Sequence, residues 1–231
     1  MRYLAVTAAA AAMLWVTPIP AQGQAQSAPL FPAYKATRTA DGKPDLNGIW
    51  QSFTTANWDI LTHEAQPGPH PEIMGAWDAT PGGQGIVEGN EIPYQPWAAA
   101  KQKENFAKRM VVKPTNDPHR YDTGEPELQC YRPGVPRANY MPFPFQIFQT
   151  PREILIVYEY KGALRTIYME PHREAPADQW MGWSNGRWEG DTLVVSTTNL
   201  RTDDPARTLA GRPMLLGPDT RITEWFTRVS D

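Results

Sequence analysis

Four residues in the second half of this chain have side chains suited to acid–base or charge chemistry at places where a strand could present them. They are His172, Arg173, Glu159 and Glu224. His172 and Arg173 fall where a strand arm should end, within Glu170-Pro-His-Arg-Glu174. A histidine projected there into a barrel mouth would serve as a general base, and the guanidinium beside it as an oxyanion or carboxylate clamp. Glu159 and Glu224 read as mid-strand carboxylates, and either one, turned into an apolar interior, could work as an acid catalyst. The plainer reading turns both glutamates to water and leaves His172 and Arg173 in a solvated loop with tryptophans packed beneath it.

Aromatic residues gather around the same stretch. Trp180 and Trp183 follow His172 closely enough to wall a pocket, with Trp188 and Trp225 on later strands. Arg137, Asn139 and Tyr140 stand just before the Pro-Phe-Pro-Phe run, where an arginine between proline turns could meet an anionic ligand or tie down a loop. The eight tryptophans beyond residue 25 suit stacking on sugar rings or lining a pocket for a flat apolar ligand. Their alternative use is to fasten irregular chain onto a sheet.

Metal chemistry is not expected. His63 and His70 have Glu64 and Glu72 nearby, but the spacing matches no standard zinc site. His119-Arg120 and Tyr121-Asp122 read as a polar loop. Cys130 is the single cysteine, so no disulfide can close within the chain. With no base identifiable beside it, it reads as a small apolar residue. Any enzyme here is expected to work without a cofactor.

The elements that must position these groups are strands. Glu153-Ile-Leu-Ile-Val-Tyr-Glu-Tyr160, Lys161-Gly162 and Ala163-Leu-Arg-Thr-Ile-Tyr-Met169 predict a hairpin, because both arms are β-branched or aromatic and the glycine suits the turn. Gly186-Arg-Trp188, Glu189-Gly190-Asp191 and Thr192-Leu-Val-Val-Ser-Thr-Thr198 predict a second hairpin. Residues 221–229 close the series, with Ile222, Glu224 and Phe226 on one face and Trp225, Thr227 and Val229 on the other. Shorter strands are expected at 145–150 and 47–53. The one helix expected covers 96–109, opened by Pro96 and ending on Lys108 and Arg109.

Proline sets the division between these regions. Fourteen of the 24 prolines lie between Pro67 and Pro151, and none lies in 152–170. Proline removes a backbone donor and fixes φ, so the first region reads as an irregular wrap and the second as sheet. The fold class is therefore mainly β: an antiparallel meander forming a lipocalin-like barrel or a strongly curved sheet, with a long Pro-rich wrap and one short helix. The expected organisation is a signal peptide at 1–25 and a single β-rich domain at 26–231, with the wrap at 67–151 and the hairpin meander at 152–229.

The leader is read from Arg2, the only charge before Lys35, an alanine-rich apolar run from Tyr3 to Thr17, and small residues at Gly23 and Ala25. It implies a periplasmic or secreted protein with no membrane association once the leader is removed. A net charge of −3 argues against a nucleic-acid partner held by phosphate attraction.

Pro44-Asp-Leu-Asn-Gly-Ile-Trp50, Cys130-Tyr-Arg-Pro-Gly-Val-Pro-Arg137, Pro142-Phe-Pro-Phe-Gln-Ile-Phe-Gln-Thr-Pro151 and Gly186-Arg-Trp-Glu-Gly-Asp-Thr-Leu-Val-Val195 form a set of motifs along the chain. Together they resemble a widespread group of exported bacterial proteins, most of them described as hypothetical. The resemblance spans roughly residues 41–229 and implies no activity. Members often carry Asp at the place of Ser196, His at that of Trp183, and a His-Ser-Glu stretch near Met214–Pro218, all altered here. They also continue beyond the last strand of this chain, so either a C-terminal truncation or an open barrel edge is expected. Gly48-x-Trp50 resembles the opening strand of lipocalin-like barrels.

Three functions follow as expectations. The first is binding of a small apolar, aromatic or sugar-like molecule in an aromatic-lined pocket. The second is a cofactor-independent hydrolase, lyase or isomerase using His172 and Arg173 with Glu159 or Glu224. The third is an envelope structural or interaction protein. The sequence leaves the oligomeric state open.

Overall fold

The proline-free stretch forms the middle of a sheet. Glu153–Tyr158 alternates exposed and buried residues, and Ile154, Ile156 and Tyr158 are its buried set. This is the period of two that puts alternate side chains on one face. The computed structural model describes residues 34–68, 79–107, 132–201 and 219–230. From Lys35 onward they belong to one compact unit.

Seven strands run in sheet order as in sequence: β1 (Gly48–Trp50), β2 (Phe145–Gln149), β3 (Glu153–Tyr158), β4 (Leu164–Tyr168), β5 (Trp183–Glu189), β6 (Thr192–Thr198) and β7 (Ile222–Thr227). The sheet curls into a half-barrel. The single α-helix among the described residues, α1, covers Pro96–Ala107. Among the described residues, no helix is long and apolar enough to cross a membrane.

Two differences from the sequence reading matter. Five of the six strand pairings are antiparallel, but β4 and β5 run parallel, with Ile167 opposite Ser184 and Tyr168 opposite Asn185. A parallel neighbour needs a crossover of about a dozen residues or more. Residues 169–182 supply that length. Second, β3 ends at Tyr158, so Glu159 is no mid-strand residue. It opens the turn to β4, where Lys161 and Gly162 take the left-handed backbone that a tight reversal requires.

The inner face of the sheet holds the core. Ile147, Ile154, Ile156, Ile167, Leu193 and Val195 pack with Leu46, Val135, Ala138 and Met181 from the irregular segments. Trp50, Phe145, Trp188, Ile222 and Phe226 pack against this cluster, partly buried. Gly186 marks a tight place in it, because a methyl group there would stand 2.7 Å from Ile167 Cγ2 and 2.9 Å from Met169 Sδ.

The edge strands β1 and β7 do not pair with each other. On one side of that seam, Arg228 Nη1 donates to the Asp45 carbonyl at 2.8 Å and to Thr37 Oγ1 at 3.3 Å. Its guanidinium also lies over the Trp50 ring, 5.7 Å from the centroid. The leader expected at 1–25, His70, Glu72, His119, Cys130 and the 214–218 stretch lie outside the described residues.

Candidate functional site

Strand parity sends one charge inward from β4 and its opposite inward from β7. Ile167 faces the core, so Arg165, two residues earlier, faces it too; Ile222 and Phe226 do the same for Glu224. Arg165 is only 2% exposed. Its guanidinium lies across β5 and β6 to reach β7. Nε donates to Ser184 Oγ at 3.0 Å, Nη2 to Thr197 Oγ1 at 2.9 Å and to Glu224 Oε2, and Nη1 to Glu224 Oε1 at 3.3 Å. The Ser184 and Thr197 hydroxyls are themselves 2.8 Å apart. One polar rung thus ties four consecutive strands, including the parallel junction.

A loop inserted against the inner face completes the network. After the cis Val135–Pro136 bond, Arg137–Asn139 forms a 3-10 turn that buries Ala138 and presents Asn139. Asn139 Nδ2 donates to Glu224 Oε1 at 2.5 Å, and its Oδ1 accepts from the Tyr158 hydroxyl at 2.7 Å. The Asn139 carbonyl accepts from Ser52, just beyond β1. Asn139 therefore links β3, β7 and the chain leaving β1.

Burying an ion pair forfeits several kcal/mol of hydration per charge, which returns only when the remaining polar atoms are satisfied. Here they largely are. Burial works to lower the Arg165 pKa, but the Glu224 carboxylate outweighs it and the net direction is upward. Burial pushes the Tyr158 hydroxyl up to about 12, with Arg165 opposing and Glu224 adding to the rise. Tyr140, which follows the 3-10 turn, is also raised, by burial first and the Glu224 charge second. Both phenols stay protonated at neutral pH.

The residues singled out from sequence are dispersed. Glu224 belongs to the inner network, while Arg137 opens and Tyr140 follows the turn that carries Asn139. Trp188 faces inward and packs on the core. His172 and Arg173 are exposed in the connection after β4, while Glu159 is exposed at the opposite end of that strand. A five-residue strand separates them by roughly 17 Å at about 3.3 Å per residue. The structure therefore does not bring His172, Arg173, Glu159 and Glu224 into one site.

On the outer face, Trp183 stacks on Tyr168 with centroids 4.5 Å apart, and the Arg173 guanidinium lies 4.7 Å from the Tyr168 centroid. Trp183 Nε1 donates to the Arg173 carbonyl at 2.8 Å. Trp180 carries Arg201 over its ring at 5.3 Å. Trp225 points outward and is 65% exposed.

The sequence reading missed Arg165, Tyr158, Ser184 and Thr197, and it named Asn139 without a role. A usable signal was present in the parity of β4 and β7, which assigns one inward charge of each sign. His63 holds backbone carbonyls of Leu61 and Pro81 at 2.8 and 3.0 Å through its two ring nitrogens. Among the described residues, no group of three or more His, Cys, Asp or Glu is arranged to hold a metal ion. No protein-family model, curated protein or solved structure matches the chain.

Proposed function

We propose that this is an exported protein that binds a small molecule on the inner face of its half-barrel, at Glu224. The observation that carries this reading is the Glu224 carboxylate itself. It is fixed by Arg165 and Asn139 against an apolar core, yet its side chain remains 12% exposed. A charged group so placed is poised to meet a ligand that enters with an apolar body and one polar end. Ile222 and Phe226 flank it on β7, and Trp50 and Phe145 share the inner face. The curl of the sheet and the Gly48-x-Trp50 opening strand support a lipocalin-like mode of holding that ligand. The apolar leader at 1–25 supports export to the periplasm or beyond.

Tryptophan emission tests the reading, because Trp50 and Trp188 lie on the inner face. Titration with small apolar, aromatic and sugar-like molecules is expected to give a saturable change that weakens at least tenfold in Glu224→Gln. A set of binders indifferent to that substitution would rule the site out.

A second reading, a protein that docks on an envelope partner, draws on a different observation. Ile49, Phe148 and Leu164 are exposed on the outer face of β1, β2 and β4. Cross-linking in intact cells is expected to capture a partner through this face and to lose it in Phe148→Lys.

A further inference from the structure

The outer face of the sheet is of two kinds. Over β1, β2 and β4 it exposes the apolar Ile49, Phe148 and Leu164. Over β5, β6 and β7 the exposed side chains are polar, with the exception of Trp225. Parity turns Arg187, Glu189, Thr192, Trp225 and Thr227 outward, because Trp188, Leu193, Ile222 and Phe226 turn to the core. Register brings them together. Arg187 stands opposite Val194 and Val194 opposite Trp225, so the three form one row across the sheet, about 10 Å long over two inter-strand steps. Glu189, Thr192 and Thr227 form a second row two residues along.

The indole in this setting is unspent. Trp225 is 65% exposed while Val194 beside it is buried. Among the described residues the ring has no aromatic or cationic partner and its N–H makes no hydrogen bond. It belongs to the last strand of the sheet, which leaves it at an open margin. The polar groups near it also keep capacity. Arg187 donates from Nε and Nη2 to Glu189 Oε1 at 2.9 and 2.5 Å, so Arg187 Nη1 and Glu189 Oε2 make no bond among the described residues. The Thr192 and Thr227 hydroxyls hold each other at 2.7 Å. The two charges cancel, which gives the patch no strong preference for an anion or a cation.

A large ring exposed among hydroxyls and a compensated ion pair does not suit a wide apolar partner, which would take the pair out of water and give its free donor and acceptor nothing in return. It suits a ligand with one apolar face and a polar, uncharged rim. A pyranose ring has both. Its C–H groups carry a slight positive charge that the negative face of an indole attracts, and neighbouring hydroxyls can accept from a guanidinium and donate to a carboxylate. We propose that the outer face of β5, β6 and β7 binds a neutral oligosaccharide, with one sugar ring stacked on Trp225 and its hydroxyls on Arg187 Nη1 and Glu189 Oε2. This site is separate from Glu224, which lies on the opposite face of β7, and it does not rest on the small-molecule reading.

Calorimetry on the full chain tests it with three neutral probes, cellohexaose, maltohexaose and chitohexaose, and one anionic probe, hexagalacturonate. At least one neutral probe is expected to bind saturably and at least tenfold more tightly than hexagalacturonate. Trp225→Ala is expected to weaken that binding tenfold or more, Arg187→Ala threefold or more, and Trp225→Tyr, which keeps a ring, threefold or less. Thermal unfolding of these variants should match the parent protein, because the side chains removed stand largely in solvent. Glu224→Gln should leave the affinity within twofold. Failure of all three neutral probes to bind would overturn the proposal, as would tighter binding of hexagalacturonate. Sugar binding lost in Glu224→Gln and kept in Trp225→Ala would move the ligand to the inner face and overturn it too. A concentration-dependent dimer that Trp225→Ala dissolves would give the exposed ring to a second copy of the chain, with the same consequence.

Discussion

Arg165 and Arg173 belong to one short run of chain and differ in almost everything else. Arg165 sits mid-strand on the inner face, with its bonds going to side chains on three other strands. Arg173 lies beyond the strand in solvent, resting its guanidinium on the Tyr168 ring while its backbone engages Asn185 and Trp183. Sequence makes Arg173 the more conspicuous, because a histidine precedes it and tryptophans follow. Burial makes Arg165 the consequential one. An arginine that has surrendered its hydration depends on every partner it has gained, whereas an exposed one can trade them for water.

The widest gap between the two faces should appear on removing one member of the inner pair. Arg165→Met is expected to destabilise the fold by about 3–5 kcal/mol in urea unfolding, since Glu224, Ser184 and Thr197 lose their common partner. The paired replacement Arg165→Met with Glu224→Leu should recover most of that loss, because two apolar side chains leave no carboxylate stranded. A single substitution costing under about 1 kcal/mol would erase the contrast between the faces.

Alkali probes the same network without mutation. The Tyr158 hydroxyl ionises near 12 in the folded chain against an ordinary 10. A raised folded-state pKa means that the stabilisation is whole below pH 10 and is lost as pH climbs through 12, by roughly 2–3 kcal/mol. Absorbance at 295 nm should show this phenol and Tyr94, raised to about 12 chiefly by burial and then by Asp59, titrating last. Tyr158→Phe should remove one late-titrating phenol and its share of the alkaline loss.

Smaller effects sharpen the comparison. Gly186→Ala, pressing a methyl group against Ile167 and Met169, should cost about 1–3 kcal/mol in thermal unfolding. On the other face, Arg173→Ala should cost at most about 1 kcal/mol, and the emission of Trp183 should shift as its neighbour is uncovered. An outer-face loss as large as the Gly186→Ala loss would contradict the assignment of faces.

Much of the fold was legible because strand signals are local. The β-branched and aromatic arms at 153–160 and 163–169, the glycine turns at 162 and 190, and the proline distribution all act within a few residues. The parallel junction between β4 and β5 was not legible, since nothing in 169–182 announces which way the chain returns. The site was legible only in halves. Glu224 stood out as a strand carboxylate whose plainer reading faced water, and its worth depends on Arg165, 59 residues away, and on an asparagine delivered by a loop. His172 drew attention through its neighbours in sequence, which are not the neighbours that the sheet gives it.

The rung from Arg165 to Glu224 also bears on the order in which the chain can become itself. During synthesis, Arg165 emerges long before Glu224, and its place in the core holds an unanswered charge until then. Neither Ser184 nor Thr197 can neutralise it. The first six strands therefore have little to gain from closing early, and β7 does more than finish the sheet: it makes the position of Arg165 tolerable.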